Sequence, residues 1–271
     1  MRPLSRDGTI LAVALAAVFV AVAFQARRGW LSFADPAILT GYLQLALLLG
    51  LALFAGRKRL SVIPVGRASV WMTAHVLAGL LVAAVFWLHS GTVWPGGLYE
   101  QVLTALFYIV IVTGILGYVL QTVLPARLTQ SGHEIIYERI PVELARLRAA
   151  AHEIVLACAE ETGSDALAQH YDEVLHWYFQ KPRFFLSHAV GAMRAQHWLH
   201  HNASGVERYL NEKGMHYHRQ LYDLAHEKCS VDLHYAQQSL MKWWLFAHIP
   251  PAAALMVFAI WHLILVNVYA I

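Results

Sequence analysis

The sequence predicts an all-α integral membrane protein: a five-helix transmembrane bundle with a helical polar domain inserted between spans four and five. Three observations lead there. The 271-residue chain is 58% hydrophobic and only 14% charged, with a mean hydropathy of +0.48, values outside the range of soluble domains. Its apolar stretches are long and continuous, as spanning helices require, whereas a barrel alternates over shorter segments. Between residues 126 and 241 the composition shifts: 12 of the 16 histidines and nearly all acidic side chains fall there, without an apolar run long enough to span. The expected domains are therefore 1–125 (spans one to four), 126–241 (polar insertion) and 242–271 (span five).

The first span is read from about Thr9 to Phe24. Ala21-Val22-Ala23 resembles a signal cleavage site, but the run exceeds the usual signal core, so a retained helix is expected. Asp35-Pro36 reads as an N-cap with proline in the first turn, opening a second span that ends near Gly56-Arg57-Lys58-Arg59. The third runs from Ala68 to Ser90, and a Gly- and Pro-containing loop, 91–98, leads to the fourth, which Pro125 is expected to stop. Helix-like apolar spacing recurs near 142–162, 165–180, 184–201 and 215–240, with turns at Gly163, Lys181-Pro182 and Asn202 to Gly205. The fifth span is read from Trp243 to Tyr269.

Basic residues orient the chain. With the N-terminus inside, Arg2, Arg6, Arg57, Lys58, Arg59 and Arg67 are cytoplasmic and only Arg27 and Arg28 oppose them, so the N-terminus and the polar domain are expected in the cytoplasm and the C-terminus in the periplasm of a bacterial inner membrane. A formal charge of +3 and a pI near 8.9 are ordinary for such a chain and give no reason to expect nucleic acid. Cys158 and Cys229 match no metal or redox spacing, and no C-x-x-C-H attaches a haem covalently.

The chemistry resides in a spacing. His75 and His89 lie 14 residues apart on span three, and His248 and His262 lie 14 apart on span five. Fourteen residues rise about 21 Å and return to within about 40° of the starting face, so each helix presents one imidazole towards each side of the membrane. In the expected topology the two helices are parallel, which puts His75 level with His248 and His89 level with His262. Intramembrane histidine marks function by default. The pairs are expected to ligate two non-covalent, bis-His b-type haems, with both axial positions filled and electron transfer as the result. Gly79, Gly114 and Gly117 are candidates for letting a porphyrin approach the backbone; close helix packing explains them slightly better. Pro250 and Pro251 are expected to bend span five after His248, unless the span begins at Pro250. In the polar domain, His197, His200 and His201 with nearby His216 and His218 form a possible metal or third-haem cluster, but no Cys or carboxylate set accompanies them. A solvated helix surface is the expectation. No catalytic acid, base or nucleophile stands out, so a subunit of an oxidoreductase complex is expected rather than a stand-alone enzyme.

These His-x13-His pairs on two helices resemble the transmembrane cores of cytochrome b and ferric-reductase-like families, whose pairs ligate two stacked haems. The resemblance covers spans three to five and carries to His75, His89, His248 and His262. Ile135-Ile136-Tyr137-Glu138-Arg139-Ile140-Pro141 and the stretch from Val231 through Pro250 are also similar to a group of bacterial membrane proteins associated with multihaem c-type cytochromes and iron–sulfur partners. Those likenesses imply respiratory-chain electron transport, with c-type cytochrome or iron–sulfur partner subunits and a quinone as a further candidate. The chain lacks the Pro-Glu-Trp-Tyr quinol motif of respiratory cytochrome b, which argues against a bifurcating mechanism. Two other readings stand beside this one: a haem-free membrane anchor docking a partner through its cytoplasmic domain, and a transporter using the histidines as a relay.

Overall fold

The computed structural model describes residues 6–31, 36–57, 68–130 and 135–269. All regular structure in them is helical, with no strand. Three of the helices are long and apolar enough to cross a membrane, and a fourth apolar segment, Ala37–Leu53, is shorter. The chain forms two compact units, Met1–Tyr118 with Leu245–Ile271, and Val119–Trp244.

The first unit is built from α1 (Arg6–Leu31), α2 (Pro36–Arg57), α3 (Ala68–Ser90), most of α4 (Leu98–Gln130) and the end of α10 (Glu212–Tyr269). α1, α2 and α3 pack on one another. Leu48, Val82, Phe86, Phe107 and Leu255 form its buried core, with Phe86 and Phe107 stacked 4.1 Å apart. In a lipid surround such contacts stabilise through close van der Waals packing and not through removal of apolar surface from water. Many large apolar residues instead face outwards, among them Val13, Leu53, Val112 and Val257. That distribution suits a lipid surround and not water. The α3–α4 turn is fixed by Gly91, whose φ of +63° lets its N–H return to the Trp87 carbonyl at 3.2 Å.

Two boundaries differ from the sequence expectation. α4 continues through Pro125 to Gln130. Proline removes one helical hydrogen bond, but Leu124 is buried and Arg127 Nη1 donates to the Ala189 carbonyl at 3.3 Å, so tertiary contacts hold the last turn. α10 joins the segment near 215–240 and the expected fifth span in one helix, Glu212–Tyr269, unbroken through Pro250 and Pro251, so the alternative start at Pro250 falls away. Asp35, Lys58, Arg59, Arg67 and Arg2 lie outside the described residues, so the N-cap reading and most of the orienting charges do too.

The second unit contains the end of α4, α5 (Ile140–Thr162), α6 (Ala166–His170), a π-turn over Tyr171–Leu175, α7 (His176–Gln180), α8 (Phe185–Val190), α9 (Arg194–Val206) and the first part of α10. α5 starts on Pro141 and ends where Gly163, at φ +65°, returns its N–H to the Ala159 carbonyl, an αL cap. Leu147, Ala151, Val155 and Cys158 repeat at helical spacing and are buried. They join Leu167, Leu175, Tyr178, Phe179, Leu199, Leu221 and Ala225 in one core. Inside it, Lys228 Nζ donates to Asp232 Oδ2 at 2.6 Å and to the Lys181 carbonyl at 3.0 Å, and lies 3.9 Å from the centre of the Tyr178 ring.

Candidate functional site

His89 stands one residue before the end of α3. Its Nδ1 is 3.0 Å from the Ala37 carbonyl and 3.3 Å from the Thr40 hydroxyl on α2. A carbonyl only accepts, so Nδ1 carries the ring proton and Nε2 presents a lone pair. Gly41 makes this approach possible: a Cβ at that position would meet His89 Cε1 at 2.9 Å.

Against His89 lies His262 of α10, with ring centroids 6.3 Å apart and planes at 84°. A metal bonded to an imidazole nitrogen at about 2.0–2.1 Å sits about 3.2 Å from the ring centre, so two imidazoles on opposite sides of one metal stand about 6.4 Å apart. Edge-to-face aromatic pairs span the same range. Tyr99 stacks on His262 at 6.0 Å and 15°, while its hydroxyl donates to the Phe258 carbonyl, one turn before, at 2.6 Å. A mostly apolar cavity of about 160 Å³ adjoins the pair, lined by Gly41, Phe86, Phe107, Leu255 and Leu263 among others. Sites for drug-sized ligands measure about 300–1,000 Å³, so the cavity as it stands is smaller than a porphyrin needs.

The other expected pair is His75 of α3 and His248 of α10. His248 Nδ1 is 2.9 Å from Thr113 Oγ1. The Thr113 hydroxyl also lies 2.7 Å from the Ile109 carbonyl and 3.2 Å from the Val110 carbonyl; with its proton on either carbonyl it accepts from His248 Nδ1–H. A fixed second nitrogen is the usual support of a metal-binding histidine.

The three glycines read from the sequence behave differently. A Cβ at Gly114 would make ordinary contact with His248 Cε1 at 3.6 Å, and one at Gly79 would meet nothing within 4 Å. Gly117 is buried on α4. The glycine that matters most, Gly41, was not among them, nor were Ala37, Thr40, Thr113 and Tyr99. Thr40-Gly41 in the second turn of α2 was the available signal, but what Gly41 faces depends on how α2 meets α3.

In the second unit His197, His200 and His201 lie exposed on α9, and His216 is exposed as well. Among the described residues no group of three or more His, Cys, Asp or Glu side chains converges as a metal site; an axial pair has two. His188, His218 and His234 are instead buried. Cys158 and Cys229 are free and buried. No protein family, curated protein or solved structure matches the chain.

Proposed function

We propose that the chain is a b-type dihaem membrane subunit that carries electrons across the membrane between a quinone pool or cytoplasmic partner and periplasmic cytochromes, with His89–His262 and His75–His248 as the two axial pairs. The observation that carries this reading is the 6.3 Å spacing of His89 and His262 combined with the proton on His89 Nδ1 directed at the Ala37 carbonyl. In this reading α1 to α4 and the end of α10 form five spans, the N-terminus and polar domain lie in the cytoplasm, and c-type or iron–sulfur subunits are the partners.

Haem held by two imidazoles exchanges single electrons and keeps no open iron position for substrate. The chain's own residues prepare for it. Ala37 and Thr113 hold the two Nδ1 protons, which fixes each ring's tautomer and direction. Gly41 admits His89 to the face of α2. Phe86, Phe107 and Leu255 keep the cavity apolar, and Tyr99 steadies His262.

The test is purification of the full chain from haem-replete cells, a reduced spectrum and a pyridine haemochrome assay. About two b-type haems per chain are expected, falling to one in His89→Ala. Haem-free protein, or a His89→Ala variant with undiminished haem, overturns the reading and favours the membrane-anchor alternative.

A further inference from the structure

α8 leaves an apolar face uncovered. Leu186 and Val190 are four residues apart and share one side of the helix, and Met193 follows just past its end; they are 77%, 69% and 60% exposed. The pose of this segment is imposed rather than loose. Before it, Phe184 holds φ at +54°, a left-handed conformation that a bulky residue adopts only under constraint. The constraint is visible: its ring packs among Trp177, Tyr178 and Trp198, 5.7–6.4 Å between centroids. After it, Gly191 turns at φ +77°, and the Arg127 guanidinium lies 2.8 Å from where a Cβ would stand.

The anchors also set the height of α8. Arg127, which donates to the Ala189 carbonyl, is the last residue but one of the candidate span Leu98–Leu128. Trp243, whose ring lies 5.1 Å from Phe185, opens the apolar run that reaches Tyr269. Both belong to the same unit as α8. α8 therefore touches the chain at the two points where the apolar runs leave off. Arg127 is bonded to the segment and Trp243, itself exposed, lies against it, while Lys181, Arg183 and Arg194 flank it in the chain. Cations and tryptophan at that level match an anionic headgroup layer.

We propose that α8 is seated in the bilayer interface, with Leu186, Val190 and Met193 in the acyl boundary and the neighbouring Lys and Arg side chains on anionic headgroups. The domain then has a third attachment to the membrane besides its two long helices. This rests on the apolar helices crossing a bilayer and is independent of haem.

The test uses the full chain in nanodiscs of mixed phosphatidylcholine and phosphatidylglycerol. A nitroxide label is placed at Leu186→Cys and Val190→Cys, with Leu156→Cys and Tyr209→Cys as exposed apolar controls of the same unit. The native thiols are buried, so the unsubstituted chain is the labelling blank. Collisions with dissolved oxygen and with a water-soluble nickel chelate are compared. Leu186→Cys and Val190→Cys are expected to favour oxygen severalfold over the controls. In a Leu186→Asp/Val190→Asp chain, whose changes touch no core residue, a label at Met193→Cys is expected to shift to the aqueous pattern. Labels that match the controls overturn the proposal. Labels shielded from both reagents overturn it too, because a protein partner or second copy then covers the face. Either result is read without reference to haem content, so it leaves the dihaem reading standing.

Discussion

The imidazoles of His89 and His262 meet at 6.3 Å with planes at 84°, although 173 residues separate them in the chain. His89 is held there by α2, through Ala37, Thr40 and the open backbone of Gly41. The ring's position therefore depends on a helix that contributes no ligand.

Gly41→Ala brings a methyl to 2.9 Å from His89 Cε1, inside van der Waals contact, so the ring must shift and strain its bond to Ala37. This variant is expected to lose haem from the proposed His89–His262 pair, giving about one haem per chain by haemochrome assay. Gly79→Ala, whose Cβ meets nothing within 4 Å, should keep both. Equal haem content in the two variants would show that close approach at Gly41 is immaterial.

Thr113→Val keeps the shape of the side chain and removes the acceptor of His248 Nδ1–H. Loss of such an outer partner lowers metal-site affinity by about 10- to 100-fold. Haem titration of the apo chain is expected to show one site weakened by that factor and the other unchanged.

Lys228 and Asp232 are both fully buried and bonded at 2.6 Å. Asp232→Ala strands a buried ammonium, a loss of about 3–5 kcal/mol, and is expected to lower the melting temperature of the polar domain sharply. Lys228→Met with Asp232→Leu removes both charges at similar volume and should recover much of the loss. Circular dichroism melts of the full chain in detergent measure both.

Acid should loosen the polar domain. Burial, aided by the Lys228 cation, holds His188 down to about 4 from its ordinary 6.5. Burial also lowers His218 and His170. The unfolded chain binds more protons at these sites, so their contribution is complete above pH 6.5 and is lost as pH falls towards 4. Asp232, pushed up to about 6 by burial, works in the opposite sense: its contribution is present at low pH and lost as pH rises through 6. The His188 shift, from 6.5 to about 4, exceeds that of Asp232, from 3.8 to about 6, and His218 and His170 act in the same direction as His188, so the net sense follows the histidines. A melting temperature that falls between about pH 7 and pH 5 is expected, with a smaller fall in His188→Asn; a flat profile in the unsubstituted chain refutes this.

Much of the helical plan was legible because it follows from composition along a single stretch. α3 covers the bounds read from its apolar run, and Gly163 caps α5 where a turn was expected. Proline was misjudged at Pro125 because its cost is local and known, whereas the contacts of Leu124 and Arg127 that offset it come from elsewhere in the chain. The run read as one helix over 184–201 divides at Gly191 into α8 and α9.

By itself, the sequence determined an apolar helical chain with two histidines at matched spacing on each of two helices, since helix periodicity and hydropathy are properties of consecutive residues. Only the tertiary structure decided that His89 leans on Gly41 of α2, that Thr113 orients His248 and that Lys228 and Asp232 share a core. Those relations depend on which faces of separate helices meet. A pattern of spacings within one helix leaves that rotation open until packing settles it.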